Sequence, residues 1–275
     1  MFRVGTRGSA LALVQARWVA DRLGEPSEIV EITTAGDLRR DAGDKSRWTG
    51  ALERALLAEE IDLAVHSAKD VPIELAAGTW IAAVPPRANP HDVLVGTESL
   101  AALPDGARVG TSALRRRAQL LAARPDVTVV ELRGNVDTRL RKLAAGEADA
   151  LVLAAAGLDR LGRDDVPGTV LPFTPAPGQG SLLVQARAGS APPALDDAPA
   201  RAALETERAV AAALGASCHT ALGVLCADGV VRGWAGLPDG SEWIADEAPD
   251  AESLAERMLA AGAADLLARA EAMAA

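Results

Sequence analysis

Arginine side chains follow several of the predicted strands, at the point where each strand ends. Residues 111–117 come directly after a strand that ends at Gly110, and they open a helix with three consecutive arginines. Backbone amides at a helix N-terminus and the forked donors of guanidinium groups both favour anions, so carboxylate or phosphate groups are the expected ligands. Any one of these arginines could instead be a solvated surface residue, but their repeated placement at strand ends favours a shared anion site. The arginines concerned are Arg7, Arg115, Arg116, Arg133, Arg139 and Arg160.

A cation lies beside an acid at the end of another predicted strand, in residues 66–72. Asp70 in this segment can act as a general acid or base, or as the electrostatic partner of a cation that develops in a reaction. The alternative, which the sequence leaves open, is a carboxylate that serves a turn or a helix cap. Lys69, beside it, is one of only three lysines in the chain. His66 lies on the apolar strand and is predicted to be a hydrogen-bonded core residue.

The chain has two cysteines, which differ in their predicted surroundings. Cys218 lies in a loop of small residues between a helix and a strand, whereas Cys226 ends an apolar strand. A loop cysteine can be exposed and reactive, while a strand cysteine is usually a small core residue. Two cysteines are too few for a disulfide framework, and His66, His91 and His219 are not spaced to form a metal cluster. The sequence therefore predicts no metal site and leaves a covalent role for Cys218 open.

The charge distribution separates one basic segment from an acidic chain. The 275 residues carry a formal net charge of −10, which argues against non-specific nucleic-acid binding because phosphate-binding surfaces need a local excess of cations. Residues 108–163 nevertheless contain 11 Lys and Arg against 6 Asp and Glu, which leaves 17 against 32 for the rest. The apolar runs fall well short of the ~20 residues of a membrane helix, and no signal-peptide core follows a basic N-terminus. We therefore expect a cytoplasmic protein that binds no membrane.

Strands and helices are predicted to alternate along most of the chain, which implies parallel sheets. Two proline-rich stretches, residues 85–90 and 171–178, bracket the basic segment and indicate that the chain leaves one domain, builds a second and returns. We expect an α/β fold with two periplasmic-binding-protein-like α/β domains and a cleft between them, plus a small C-terminal α+β domain. The predicted boundaries are 1–86 with 178–197 for domain 1, 87–177 for domain 2 and 198–275 for domain 3.

Local sequence signals place the individual elements. Ser9 is predicted to cap a helix that runs to about Leu23, and Thr49 to cap a helix over residues 48–58. A single long helix is expected from Ala251. Further helices are expected at residues 112–123, 135–145 and 200–214. Strands are expected at residues 2–6, 28–34, 63–67, 92–95, 108–110, 127–132, 150–153 and 181–185, and a final meander at 221–226, 230–235 and 242–245.

Taken together, these segments resemble the porphobilinogen deaminase family, also called the hydroxymethylbilane synthase family, over essentially the whole chain. The ordered set of motifs is highly specific. In chain order the matching motifs are GTRGSALA from Gly5, AVHSAKDVP from Ala64, VGTSALRR from Val109, LRGNV from Leu132, AAGL from Ala155 and PGQG from Pro177.

The resemblance implies a transferase that joins four porphobilinogen molecules head to tail with loss of ammonia and then releases hydroxymethylbilane by hydrolysis. It also implies a monomer that carries a dipyrromethane cofactor, attached by a thioether to Cys218. Asp70 would contact the pyrrole nitrogens and stabilise the cationic methylene-pyrrole that forms as ammonia leaves, and Trp48 would belong to a lid over the site. The residues implied to bind cofactor or substrate are Arg7, Ser9, Gln15, Lys45, Lys69, Thr111, Ser112, Arg115, Arg116, Arg133, Gly134, Arg139, Arg160 and Gln179.

Some positions depart from the usual family pattern. Ala113 stands where serine is usual, and an acid near Asp41 stands where a lysine is usual. The lid segment, residues 44–50, keeps Lys45 and places Trp48 at the aromatic position. These departures concern the shape of the lid and of the cofactor pocket rather than the reaction.

A second hypothesis is a non-catalytic, two-lobed anion-binding protein of the periplasmic-binding type, which shares the expected topology and the arginines. The lack of a signal peptide and the presence of Cys218 in an added third domain favour the enzyme over this binding protein.

Overall fold

Strands and short helices alternate along the computed structural model, which describes residues 1–34, 46–191, 193–216 and 220–274. The strands are β1 (Phe2–Thr6), β2 (Ser27–Glu31), β3 (Leu63–Ser67), β4 (Thr79–Ala83), β5 (Asp92–Val95), β6 (Arg108–Gly110), β7 (Thr128–Val130), β8 (Ala150–Ala154), β9 (Gly168–Val170), β10 (Leu182–Arg187), β11 (Leu222–Ala227), β12 (Val230–Gly236) and β13 (Trp243–Ala248). The helices are α1 (Ala10–Ala20), α2 (Ser46–Leu57), α3 (Leu114–Ala123), α4 (Val136–Ala144), α5 (Ala155–Arg160), α6 (Ala198–Ala213), α7 (Ala251–Ala260) and α8 (Ala263–Ala274).

The chain divides into two compact units. The first comprises residues 1–88 and 180–205, and the second comprises residues 89–179 and 206–275. Helix α6 begins in the first unit and continues into the second. The predicted division into three domains, with domain 3 starting at residue 198, stays a prediction.

The first unit is built on a five-stranded sheet in the order β2-β1-β3-β10-β4. Strand β1 pairs parallel with β2 and β3, whereas β10 runs antiparallel to β3 and β4. Successive residues of a strand face opposite sides of the sheet. Accordingly, Leu63 and Val65 of β3 pack with Val19 of α1, while Ala64 packs on the other face with Leu52 and Leu56 of α2.

The second unit contains a five-stranded sheet in the order β7-β6-β8-β5-β9. Strands β7, β6 and β8 are parallel, so their carboxyl ends lie at one edge of the sheet. Strand β5 is antiparallel to its neighbours β8 and β9. Both faces are covered, since Leu94 packs with Leu120 of α3 and Val93 packs with Leu158 of α5.

A three-stranded antiparallel meander, β11-β12-β13, completes the second unit. Its buried face packs Trp234 against Leu254 and Met258 of α7, and the same core includes Ala118 of α3. The turn after β12 contains Gly240 at φ +75°, and a Cβ there would collide with the backbone of α3. Glycine is therefore required for this close approach.

The mixed α/β fold with two helix-covered sheets and a small third sheet agrees with the predicted fold class. The prediction of parallel sheets is only partly right, because β5 and β10 are antiparallel to their neighbours. Each of them is the first strand after one of the two proline-rich stretches. Within the ranges described, no helix is long and apolar enough to cross a membrane.

Several element boundaries differ from the predicted ones. Helix α2 begins at Ser46, so Thr49 lies inside it, buried and without a hydrogen-bond partner for its hydroxyl among the described residues. The expected long C-terminal helix is two helices, α7 and α8, separated at Gly262, whose φ of +93° suits glycine alone. Strands β4 and β9 were not predicted. Strand β9 has only three residues, all of them exposed. It therefore lacks the alternation of buried apolar and exposed polar residues that predicts a strand.

Candidate functional site

The segment that carries Lys69 and Asp70 is a single 3₁₀ turn, Ala68–Asp70, directly after β3. The Val71 amide closes this turn on the Ala68 carbonyl. Gln15 of α1 is buried, and its amide exchanges hydrogen bonds with the Ser67 hydroxyl at 3.0 and 3.2 Å. Gln15, which was predicted to bind a ligand, thus fixes Ser67, the residue before the turn.

The Asp70 side chain is half-buried at this strand end. Among the residues that the structure describes, its carboxylate accepts no hydrogen bond and forms no ion pair. A capping carboxylate would bond a nearby backbone amide, so this arrangement disfavours the turn or cap role that the sequence left open. No described residue therefore neutralises the Asp70 carboxylate.

Arg7 and Ser9 follow β1 in the same unit. The Arg7 guanidinium stacks on the Trp48 ring of α2, with its carbon 3.9 Å from the ring centroid. Such a cation–π contact orients the guanidinium without using its hydrogen-bond donors. Ser9 caps α1 as predicted, because its hydroxyl accepts the Ala12 amide at 3.3 Å. Lys45, the other predicted ligand of this region, lies outside the described residues.

His66 is a buried core residue, as predicted, and its Nε2 lies 3.1 Å from the Gln185 side-chain oxygen of β10. Burial lowers the pKa of His66 to about 4, although the nearby Glu53 and the hydrogen bond to Gln185 act in the opposite direction. The imidazole is therefore neutral at physiological pH.

The buried His66 predicts acid lability. Unfolding restores its ordinary pKa of 6.5, so the unfolded chain binds a proton between pH 6.5 and about pH 4 that the folded chain does not. The free energy of unfolding should therefore fall with decreasing pH in this window, by roughly 3 kcal/mol in all. Urea unfolding at several pH values checks this, with His66→Asn as the control that lacks the titration. Equal slopes for the two proteins would contradict the assignment.

In the second unit, two adjacent arginines of α3 converge on Asp92, the first residue of β5. Arg115 Nη1 lies 2.7 Å from Asp92 Oδ2, and Arg116 donates from Nε and Nη2 to Oδ1 at 2.9 and 2.8 Å. The Gln179 amide also donates to Oδ1, at 2.9 Å. All four residues are at most 5% exposed. Burial acts to raise the pKa of Asp92, but Arg115 and Arg116 outweigh it and hold that pKa well below its usual range.

A second group of predicted residues meets at the carboxyl ends of β6 and β7. Arg139 of α4 donates from Nη2 to the Ser112 hydroxyl at 3.0 Å and from Nε to the Gly134 carbonyl at 2.9 Å. Burial, with the repulsion of Arg116, lowers the pKa of Arg139 to about 10, so it stays a cation at neutral pH. Buried Thr111 starts the loop before α3, and its hydroxyl accepts the Ala113 amide at 3.2 Å.

The two remaining arginines differ in their surroundings. Arg133 is exposed and pairs with Glu131 at 2.7 Å, a surface ion pair that contributes little to stability. Arg160, at the end of α5, is half-buried, and burial lowers its pKa. The structure thus brings Thr111, Ser112, Arg115, Arg116 and Arg139 to one sheet edge and leaves Arg133 at the surface.

Gly134 is a steric requirement for the position of Arg139. Its φ is +128°, and a Cβ would lie 2.7 Å from Thr138 Cγ2. We expect Gly134→Ala to destabilise the protein by about 1–3 kcal/mol and to weaken carboxylate binding, since the carbonyl that fixes Arg139 would move. The matched control is Gly146→Ala, at φ +74° with open space around the added methyl group. Urea unfolding measures the stability of the two variants, and titration with porphobilinogen measures their carboxylate binding. Equal losses of stability and of binding in the two variants would contradict the steric role of Gly134.

Among the described residues, two acids that are 0% exposed, Asp92 and Glu207, were not predicted from the sequence. Asp92 begins an apolar strand, and a charge in such a run indicates a buried ion pair. Glu207 of α6 is fully buried and accepts the Gly178 and Cys226 amides at 2.7 and 2.9 Å. Its spacing from the buried Leu204 and Val210 places it on the apolar face of the helix, a signal that the sequence did contain. Cys226 lies half-buried on β11, and Cys218 lies outside the described residues.

Comparisons with known proteins cover both units. The family described as "Porphobilinogen deaminase, dipyromethane cofactor binding domain" matches residues 2–192. The porphobilinogen deaminase of Roseiflexus castenholzii is 45% identical, across 96% of this chain and 98% of its own length. That of Deinococcus radiodurans is 42% identical, across 96% and 97%. Among solved structures, the periplasmic VFT2 domain of Bordetella pertussis BvgS matches 69% of this chain and 81% of its own, with a TM-score of 0.40 and 17% identity.

Identity above 40% over nearly the full length of both chains, together with the family match over residues 2–192, agrees with the order of motifs read from the sequence. The chain therefore belongs to the porphobilinogen deaminase family.

Proposed function

We propose that this chain is a hydroxymethylbilane synthase, which joins four porphobilinogen molecules head to tail with loss of ammonia and releases the linear tetrapyrrole with water. The observation that carries the proposal is the cluster of Ser112, Arg115, Arg116 and Arg139 at one sheet edge of the second unit. Porphobilinogen bears carboxylate side chains, and guanidinium and hydroxyl groups are the donors that bind carboxylates. The cluster gives an acidic chain a site for an acidic substrate.

The same donors fit a dipyrromethane, whose side chains are also carboxylates. We propose that a thioether to Cys218 holds this group and that Arg115, Arg139 and Ser112 bind its carboxylates. When bound, the dipyrromethane supplies the pyrrole carbon from which the product is extended.

Asp70 is the proposed catalytic residue. Loss of ammonia breaks a C–N bond of porphobilinogen and leaves a methylene-pyrrole cation. The new C–C bond takes its electron pair from a pyrrole carbon, which then loses its proton. A carboxylate beside the pyrrole nitrogens stabilises this cation most when water is excluded. The half-buried Asp70, without a hydrogen bond to the described residues, supports this role.

Other predicted residues complete the proposal. Arg7, Ser9, Lys69, Arg133 and Arg160 are proposed to bind further carboxylates, together with Thr111, Gly134 and Lys45. Trp48 stacks on Arg7 and so orients the plane of its guanidinium group. Gln15 and Gln179, whose amides bond Ser67 and Asp92, support the site from inside the protein.

Turnover with porphobilinogen tests the proposal. The purified protein is expected to consume porphobilinogen and to release four molecules of ammonia for each linear tetrapyrrole. Binding of porphobilinogen without release of ammonia would instead identify the two-lobed anion-binding protein and would overturn the proposal. We further propose that the enzyme acts in the cytoplasm as a monomer, without nucleic acid or membrane, as its acidic composition supports.

A further inference from the structure

Asp92 is a fully buried carboxylate in the second unit to which the proposed reaction gives no role. It is 0% exposed, and Arg115, Arg116 and the Gln179 amide point at it. A buried charge is costly unless it is paired. One carboxylate between two guanidinium groups leaves the three groups with one net positive charge.

The donors of the two arginines are used differently. Arg116 bonds Asp92 from Nε, the Val152 carbonyl from Nη1 at 3.0 Å, and Gln179 from Nη2 at 3.5 Å. All three of its nitrogens therefore serve the protein. Arg115 uses Nη1 alone: it donates a hydrogen bond to the Thr174 carbonyl at 2.8 Å and forms the ion pair with Asp92 Oδ2, an oxygen that accepts no hydrogen bond from the described residues. In the described ranges, its Nε and Nη2 donate no hydrogen bond.

Gln179 ties this arrangement to the chain that enters β5. Its amide nitrogen donates to the Pro90 carbonyl at 2.7 Å as well as to Asp92. The Thr174 carbonyl that accepts Arg115 also accepts the Gln119 amide at 2.9 Å. Thr174 and Asp92, which contact the Nη1 side of Arg115, are thus themselves fixed, and no described residue bonds the opposite edge of the guanidinium group.

We propose that Asp92 is a positioning residue: it holds the Arg115 guanidinium so that Nε and Nη2 present one bidentate edge to a carboxylate, while Arg116 and Gln179 fix Asp92. This inference rests on the proposed function, because the carboxylate is that of the cofactor or of porphobilinogen. Asp92 also offsets one of the two cationic charges, so the cluster matches a single carboxylate. Without Asp92 the adjacent guanidinium groups repel each other and lose a common orientation.

A double-mutant cycle tests whether Asp92 acts through Arg115. The proteins are the wild type, Asp92→Asn, Arg115→Gln and the double variant, each measured for turnover of porphobilinogen and for free energy of unfolding in urea. Each single variant should lose about tenfold to a hundredfold in kcat/KM. The double variant should lose no more than Arg115→Gln alone, although its stability differs. A purely structural role for Asp92 would not produce this non-additivity in kcat/KM.

The matched control is Asp149→Asn, because Asp149 forms an ion pair of similar length, 2.8 Å, with Arg108 on the surface of the same unit. It should turn over at the wild-type rate. Wild-type turnover by Asp92→Asn, or losses that multiply in the double variant, would overturn the inference. If Asp92→Asn does not fold, the cycle is run with Gln179→Met in its place. Wild-type turnover by Gln179→Met, or losses that multiply in its double variant with Arg115→Gln, would then overturn the inference. An inactive wild type without bound dipyrromethane would instead overturn the proposed function.

Discussion

An Asp70→Asn variant is expected to fold and to bind substrate, yet to lose turnover by about a hundredfold or more. The amide has the shape of the carboxylate but not its charge, and the proposed role of Asp70 is to face a cation that exists only during the reaction. Asp70 lies on a short turn fixed from Ser67, and no described residue depends on its carboxylate for a hydrogen bond. Steady-state kinetics with porphobilinogen measure the loss, which should fall mainly on kcat.

Two further variants sharpen the Asp70 experiment. Asp70→Glu keeps the charge and should retain more activity than Asp70→Asn. Asp62→Asn is the control for the same chemical change in the same unit, because Asp62 pairs with Arg3 at 2.7 Å at the surface, and it should leave kcat unchanged. Equal activities for the Asn and Glu variants of Asp70 would show that charge is not the operative property.

Replacement of Cys218 by serine is expected to abolish the covalent cofactor and, with it, all turnover. A serine hydroxyl is a far weaker nucleophile than a thiolate and does not form the thioether. The protein should still fold, since a conservative change in a segment that is predicted to be a loop of small residues removes no large apolar group. Intact-protein mass and a turnover assay measure the two losses together.

Cys226→Ser is the matched control for Cys218→Ser. Cys226 lies half-buried on β11, and its contact with Glu207 is made by the backbone amide, which a serine retains. This variant should keep both cofactor and activity. A Cys218→Ser protein with undiminished turnover would contradict the attachment site, as would loss of cofactor in Cys226→Ser alone.

Local signals in the sequence were sufficient for many elements. Strands β1, β3 and β6 match their predicted bounds, because short apolar runs ended by glycine or polar residues admit few alternatives. Ser9 was recognisable as a cap, and His66 as a core residue, from their immediate neighbours. Thr49 shows the limit of such signals, since the helix begins three residues before it, at Ser46.

The pairing of the arginines was not predictable from their positions at strand ends. Arg116 looks like a ligand residue in the sequence, but it is engaged by Asp92, which is 24 residues away, and by a carbonyl of β8. Gln179 likewise bonds the carbonyl of Pro90, which is 89 residues away in the sequence, so this contact forms only in the folded chain. Such contacts depend on the tertiary fold, whereas the chemical class of the ligand follows from the arginines alone.

The intact mass of the purified wild-type protein, produced in a haem-making host, tests the central claim most directly. We expect a mass that exceeds that of the unmodified chain by two pyrrole units, with the added mass on the proteolytic fragment that contains Cys218. A protein with the unmodified mass, or with the addition on a fragment that lacks Cys218, would contradict it.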